Sequence, residues 1–117
     1  MNLAEKRIQY LNINGGEGWY HGSISHFDGM FHELEEARIE LEEWNHVYLE
    51  DELGDVFWDY LCFLEWLEQE GKIDKKRVME RCYKKFSERL GPDASGTWWN
   101  EIKKRQKMEL EEEQKSV

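Results

Sequence analysis

Apolar residues recur at helical spacing along most of the chain after residue 25. Between residues 26 and 44 they lie three or four positions apart, and a second series runs from 49 to 70. This spacing collects apolar side chains on one side of a helix. The short stretch "NHVY" at 45–48 is a predicted turn, so the two helices are expected to be antiparallel neighbours.

Other segments complete an all-helical pattern. An N-terminal helix is predicted within residues 1–13, and Asp74 is suited to cap the helix that follows it. A last helix begins near Thr97, and the charged tail at 108–117 is expected to fray. We therefore predict a single all-α domain over residues 1–117, a bundle of four to five antiparallel helices.

The net charge of the chain limits the classes of ligand that it can bind. The chain has 26 acidic and 16 basic residues and a net charge of −10. This balance argues against general binding to nucleic acids or to anionic membranes, which both require a positive field. An acidic protein can still bind a polyanionic ligand when divalent cations neutralise the charge locally.

The N-terminal residues favour a cytoplasmic protein. They lack the apolar segment and the cleavage site of a signal peptide. The most apolar run, 56–67, contains Asp59 and Glu65 and is too short to cross a bilayer. Cys62 and Cys82 each lie in line with apolar residues on predicted helices, which predicts buried thiols in a reducing compartment.

Carboxylates are concentrated on the two central predicted helices, where residues 32–55 hold ten Asp and Glu in 24 positions. Two sets repeat the spacing i, i+3, i+7: Glu33, Glu36, Glu40 and Glu52, Asp55, Asp59. Each set lies along one line at the flank of an apolar stripe. If both lines border the same side of the seam, the carboxylates converge and repel one another unless protons or cations bridge them. Oxygen ligands in that number suit Mg²⁺ or Mn²⁺.

Two other interpretations of these acids remain open from spacing alone. The first is a solvated face without a partner, although the acids border the apolar stripes instead of lying opposite them. The second is a di-iron carboxylate bundle, which needs Glu-x-x-His on each of two helices. The sequence has one such pair, Glu43 and His46, and it runs into the predicted turn.

The motifs "ELEEARIE" (33–40) and "LEDELGDVFWDYLCFL" (49–64) resemble the signature of the MazG-type nucleoside triphosphate pyrophosphohydrolases, in the all-α NTP pyrophosphatase superfamily. That signature is an E-x-x-E pair followed by E-x-x-D. The segment 78–90 is similar to the family's K-F-x-x-R segment, and 97–107 to its closing W-x-x-x-K helix. His32 departs from the family pattern, because it stands where a first glutamate is common.

The resemblance implies an activity, Mg²⁺-dependent hydrolysis of (deoxy)nucleoside triphosphates to the monophosphate and pyrophosphate. It implies Mg²⁺, for which Mn²⁺ can substitute, as the cofactor. The implied metal ligands are Glu33, Glu36, Glu52 and Asp55. One glutamate of the cluster is expected to act as the general base, with Glu36 as the candidate, and Lys85 and Arg89 are the implied catalytic groups on the leaving pyrophosphate. The implied substrate contacts are Lys85, Arg89, Trp99, Lys103 and Trp19.

Two further expectations concern the oligomeric state and the alternative function. Members of this family are usually dimers or dimers of dimers, and the small size and many aromatic residues of the chain fit a core shared between subunits. The alternative to the enzyme is a catalytically silent helical binding or scaffold protein of the same fold. Intact acids at the four metal positions favour the enzyme.

Overall fold

A computed structural model describes residues 2–13, 22–91 and 96–117. These contain five helices: α1 Leu3–Ile13, α2 Ser23–Glu43, α3 His46–Gln69, α4 Lys75–Leu90 and α5 Gly96–Lys115. No strand occurs in the described ranges, so the all-α fold class is confirmed. None of these helices combines the length and apolar character that crossing a membrane requires.

The chain divides into two compact units, Met1–Lys75 and Lys76–Val117, and each is described by itself. The first unit holds α1, α2 and α3. The second holds α5 and all of α4 except its first residue. A single domain over residues 1–117 stays a prediction.

The connection between α2 and α3 is shorter than the predicted turn at 45–48, because α3 already begins at His46. Trp44 adopts a left-handed backbone conformation with φ of 60°. The N–H groups of Trp44 and Asn45 donate to the carbonyls of Leu41 and Glu40, which closes the end of α2 within one residue. Glu43 ends α2 and His46 starts α3, so this pair does not form the single-helix motif of a di-iron site.

Helices α2 and α3 pack antiparallel along their length, as predicted. At one end Ser23 donates from its backbone N–H and its Oγ to Glu70, at 3.2 and 2.9 Å. Further along, the rings of Phe27 and Phe63 lie 5.5 Å apart between centroids. The Glu70 carboxylate therefore occupies the positive N-terminus of α2, where a local capping side chain would otherwise bind.

The apolar core of the first unit forms where α1 meets α3, and its buried members are Ala4, Ile8, Leu11, Cys62 and Trp66. The α1 residues recur four and three positions apart, so they share one face. Burial raises the pKa of the Cys62 thiol to about 11. The prediction of two buried thiols was wrong for Cys82, which is exposed.

An apolar face of the α2–α3 pair stays exposed. Phe31, Leu34, Leu53 and Phe57 are 58%, 49%, 49% and 64% exposed, respectively. Helix α1 covers one side of α3, and these four side chains lie outside that contact.

Helices α4 and α5 also run antiparallel, joined by side-chain contacts. Arg81 forms a bidentate ion pair with Glu113, at 2.9 and 2.8 Å, and this contact lowers the pKa of the Glu113 carboxyl. The helix continues to Lys115, so the prediction that the tail at 108–117 frays was wrong. The ion pair ties that tail to α4, and its Glu, Lys and Gln residues are good helix formers.

Candidate functional site

Three of the predicted metal ligands converge at the α2–α3 seam. Glu33 and Glu36 of α2 and Glu52 of α3 each offer a carboxylate oxygen, and these oxygens lie within 4.8 Å of one another. The arrangement follows from the sequence, because residues three apart share a helix face and an antiparallel neighbour brings its own face opposite. The carboxylate lines thus border the same side of the seam.

Asp55, the fourth predicted ligand, belongs to a second group that shares Glu52. Its carboxylate lies within 4.8 Å of those of Asp51 and Glu52, on the more exposed side. Sequence reasoning did not single out Asp51. The signal was present, because Asp51 lies four positions before Asp55 and therefore on the same face of α3.

Repulsion within the cluster changes its protonation. The Glu33 carboxylate lies close enough to Glu52 to share a proton with it. This proximity is the largest of the factors that raise the pKa of Glu52 to about 7. Burial, reinforced by Glu36, raises the pKa of Glu33 as well. The Oε2 atoms of Glu33 and Glu52 are buried and accept no hydrogen bond from the described residues. A proton or a cation would satisfy both of these oxygens.

These observations fit a divalent metal ion. The donor set consists of carboxylate oxygens alone, which is the set that Mg²⁺ and Mn²⁺ prefer. A cation would satisfy the buried oxygens and relieve the repulsion that raises the two pKa values. A solvated face would leave neither signature, since exposed carboxylates are paired with water.

Two histidines border the cluster, and sequence reasoning gave neither a role. His32 Nε2 lies 2.9 Å from Oε1 of Glu36, one helical turn away. His26 is buried, and its Nδ1 lies 3.4 Å from Oδ1 of Asp59. Burial lowers the pKa of His26 and raises that of Asp59. A side chain at Gly29 would come within 3.1 Å of Asp59 Oδ2, so glycine admits this carboxylate against α2.

A comparison with protein families decides which of the sequence interpretations applies. The family model for the MazG nucleotide pyrophosphohydrolase domain matches residues 24–91. The chain belongs to the MazG family. A comparison with curated proteins gives no match, and a comparison with solved structures gives none.

The MazG match covers the acidic cluster and part of the basic region. It spans α3, α4 and all but the first residue of α2, which together carry Glu33, Glu36, Glu52, Asp55, Lys85 and Arg89. Trp99 and Lys103 lie on α5, outside the matched range. Trp19, a predicted substrate contact, lies outside the described residues.

A groove of about 580 Å³ lies between α4 and α5 of this MazG chain, and six of its lining residues are basic: Arg81, Lys84, Lys85, Arg89, Lys103 and Lys107. The three acidic residues that line it are all engaged by arginines. Glu113 pairs with Arg81, and Glu88 and Glu109 pair with Arg105. The groove therefore has a local positive surplus although the whole chain is acidic.

The predicted phosphate contacts have different surroundings within this groove. Lys85 and Lys103 are exposed and form no ion pair in the described part of the chain. Arg89 is only 9% exposed, and its guanidinium carbon lies 5.2 Å from the ring centroid of Trp99. Trp99 also packs on Phe86, at 5.9 Å between centroids. Trp99 thus contacts an arginine and a phenylalanine of α4.

Proposed function

We propose that this MazG protein hydrolyses (deoxy)nucleoside triphosphates to the monophosphate and pyrophosphate in a Mg²⁺-dependent reaction. One observation carries the proposal: the E-x-x-E pair of α2, Glu33 and Glu36, meets Glu52 of the E-x-x-D pair on the antiparallel α3. The family match supports the same class of reaction.

The carboxylates would act together on the metal and on the attacking water. Glu33, Glu36, Glu52 and Asp55 would hold Mg²⁺, with Mn²⁺ as a substitute. When bound, Mg²⁺ supplies charge neutralisation for the phosphate chain and activation of water. The water oxygen adds to the α phosphorus, the bond from that phosphorus to the bridging oxygen breaks, and pyrophosphate leaves. Glu36, whose side chain is 41% exposed, would accept the proton.

Basic side chains on α4 and α5 would take the charge of the phosphate chain. Lys85 and Arg89 are the proposed contacts to the departing pyrophosphate, with Lys103 as a further contact. We propose that Trp99 contributes through Arg89, because its ring lies within cation–π distance of the guanidinium. Trp19 as a substrate contact stays a prediction.

Product analysis over a panel of ribo- and deoxynucleoside triphosphates tests this function. We expect equal amounts of monophosphate and pyrophosphate, with no diphosphate, and no turnover after chelation of divalent ions. Glu36→Gln and Asp55→Asn should each lower the rate by at least about a hundredfold. Glu35→Gln is the matched control, because Glu35 is exposed and adjacent to the motif but outside the cluster.

A different set of products would replace the proposal with another function. Diphosphate and inorganic phosphate as products would place bond cleavage at the γ position. Wild-type protein and variants that are equally inert on every nucleotide would favour the silent binding or scaffold protein.

We also propose that the partner of the exposed α2–α3 face is a second copy of this chain. Phe31, Leu34, Leu53 and Phe57 are large and apolar, and each is about half exposed or more. Monomeric soluble proteins rarely leave such side chains together in water. A symmetric dimer would bury the same face of both copies.

A further inference from the structure

Gln106 is a buried amide on α5, and both of its ends contact α4. Its Oε1 accepts a hydrogen bond from Nε of Arg89 at 2.8 Å, and its Nε2 donates to the backbone carbonyl of Lys85 at 3.0 Å. Only 7% of Gln106 is exposed. Because an amide has distinct donor and acceptor ends, this pair of partners fixes the orientation of the side chain.

Aromatic rings complete the surroundings of the Arg89 guanidinium. Its carbon lies 5.2 Å from the centroid of Trp99 and 5.4 Å from that of Phe86. These distances are within the range of cation–π attraction. The hydrogen bond to Gln106 occupies the Nε donor, and the guanidinium makes no other hydrogen bond within the described residues. The donors on its two terminal nitrogens are therefore available to a ligand of the groove.

We infer that Gln106 is a positioning residue for Arg89. By occupying Nε it orients the guanidinium so that the two terminal nitrogens meet a phosphate end-on, as a bidentate donor. The bond to the Lys85 carbonyl, one helical turn before Arg89, holds the other end of the Gln106 amide on α4. This inference rests on the proposed function, which assigns Arg89 to the phosphate chain, and extends it to a residue outside the family match at 24–91.

Binding of inorganic pyrophosphate, measured calorimetrically without divalent ions, tests the inference. Gln106→Met keeps the side-chain length but removes both hydrogen bonds, and we expect the Kd to rise about tenfold. In an Arg89→Lys background, which lacks the Nε donor, the same change should alter the Kd less than about twofold. Gln114→Met, an exposed glutamine on the same helix, is the control and should leave the Kd unchanged.

A purely structural role for Gln106 gives a different result. It would lower the melting temperature and change the Kd by the same factor in both backgrounds, or not at all, and either outcome overturns the inference. If Gln106→Met does not fold, the wild-type protein suffices. The Arg89 Nε–H resonance, assigned by its loss in Arg89→Lys, should stay protected from exchange while pyrophosphate is added. Loss of that protection on binding would overturn the inference.

The same experiment separates this inference from the proposed function. A protein that binds pyrophosphate with the expected dependence on Gln106, but hydrolyses no nucleotide, would contradict the function and leave the positioning role intact. A wild-type protein that does not bind pyrophosphate at millimolar concentrations would overturn the positioning role.

Discussion

The raised pKa of Glu52 follows from the packing of two acidic helices side by side. The proximity of Glu33 raises the pKa of Glu52 from 4.5 to about 7. In an unfolded chain Glu33 and Glu52 would separate, and the pKa of Glu52 would return towards its ordinary value. Folding therefore favours the protonated carboxyl of Glu52.

The metal-free protein should lose stability as the pH rises from about 4.5 to 7. Between these pH values the folded state binds more protons than the unfolded state. The contribution of Glu52 to the free energy of unfolding therefore falls as the pH rises, and it is constant above about pH 7. Urea unfolding at several pH values, with divalent ions chelated, measures the slope. Glu52→Gln should flatten it and raise the stability at pH 8, whereas Glu35→Gln should retain the wild-type slope. An unchanged slope in Glu52→Gln would contradict the protonation of the cluster.

Binding of Mg²⁺ should release protons near pH 6. At this pH the Glu52 carboxyl, with a pKa of about 7, is largely protonated, and a metal ion requires the carboxylate. Calorimetric titration in buffers of different ionisation enthalpy counts the protons released. We expect a release at pH 6 that declines towards zero at pH 8. The same count at both pH values would mean that Glu52 does not contact the ion.

Individual residues differ in how far the sequence predicted them. Spacing located Glu33, Glu36 and Glu52, because periodicity in a helix is local. Gln106 was not predicted, since its partner Arg89 lies 17 positions away and only the packing of α4 on α5 brings them together. Such pairs leave no periodic signal in a single sequence.

At the scale of elements, a polar network links α1 to α3 and to the start of α4. Lys75 Nζ lies 2.7 Å from Glu5 and 2.5 Å from Glu65, whose side chain is only 8% exposed. The hydrogen bonds that Lys75 donates to Glu5, and next to Glu65, raise the pKa of Lys75, which stays charged at all physiological pH values. Gln69 also donates to Glu65, at 3.0 Å. The buried carboxylate depends on these partners.

Lys75→Met should destabilise the protein by about 2 kcal/mol, because it leaves Glu65 buried without its cation. Chemical denaturation at neutral pH measures the change. Lys104→Met, at an exposed position on α5, is the control and should lie within about 0.5 kcal/mol of wild type. A loss for Lys75→Met no larger than that of the control would show that the network adds nothing to stability.

The presence of each helix was predictable from the sequence, whereas the contacts at the helix ends depend on distant residues. Apolar periodicity indicated α2 and α3 correctly. The N-terminus of α2 is instead held by Glu70, 47 positions from Ser23, and the backbone N–H of Lys75 at the start of α4 is bound by Glu68 at 2.8 Å. No local capping rule can identify partners at such separations.

At the scale of the whole molecule, charge separates along the chain. Residues 1–75 hold 18 acidic and 5 basic side chains, whereas 76–117 hold 8 acidic and 11 basic ones. The net charge of −10 conceals this difference, which was countable in the sequence. The proposed metal ligands lie in the acidic part, and the proposed phosphate contacts Lys85, Arg89 and Lys103 lie in the basic part.

The exposed α2–α3 face should hold two copies of the chain together. Phe57→Glu, at a position 64% exposed, would place a charge in the interface and should yield a monomer in sedimentation velocity experiments at micromolar concentrations. Tyr83→Glu, on α4 and 79% exposed, is a matched control and should remain dimeric. A wild-type monomer, or a Phe57→Glu dimer of unchanged stability, would contradict this face as the interface.

The central claim is that the carboxylates of α2 and α3 form one metal site, and Mn²⁺ binding tests it most directly. Titration followed by electron paramagnetic resonance reports the loss of free Mn²⁺ without any need for turnover. We predict saturable binding to the wild type and to Glu35→Gln, with a Kd at least about tenfold higher for Glu33→Gln and for Glu52→Gln. Equal binding by all four proteins would contradict the account.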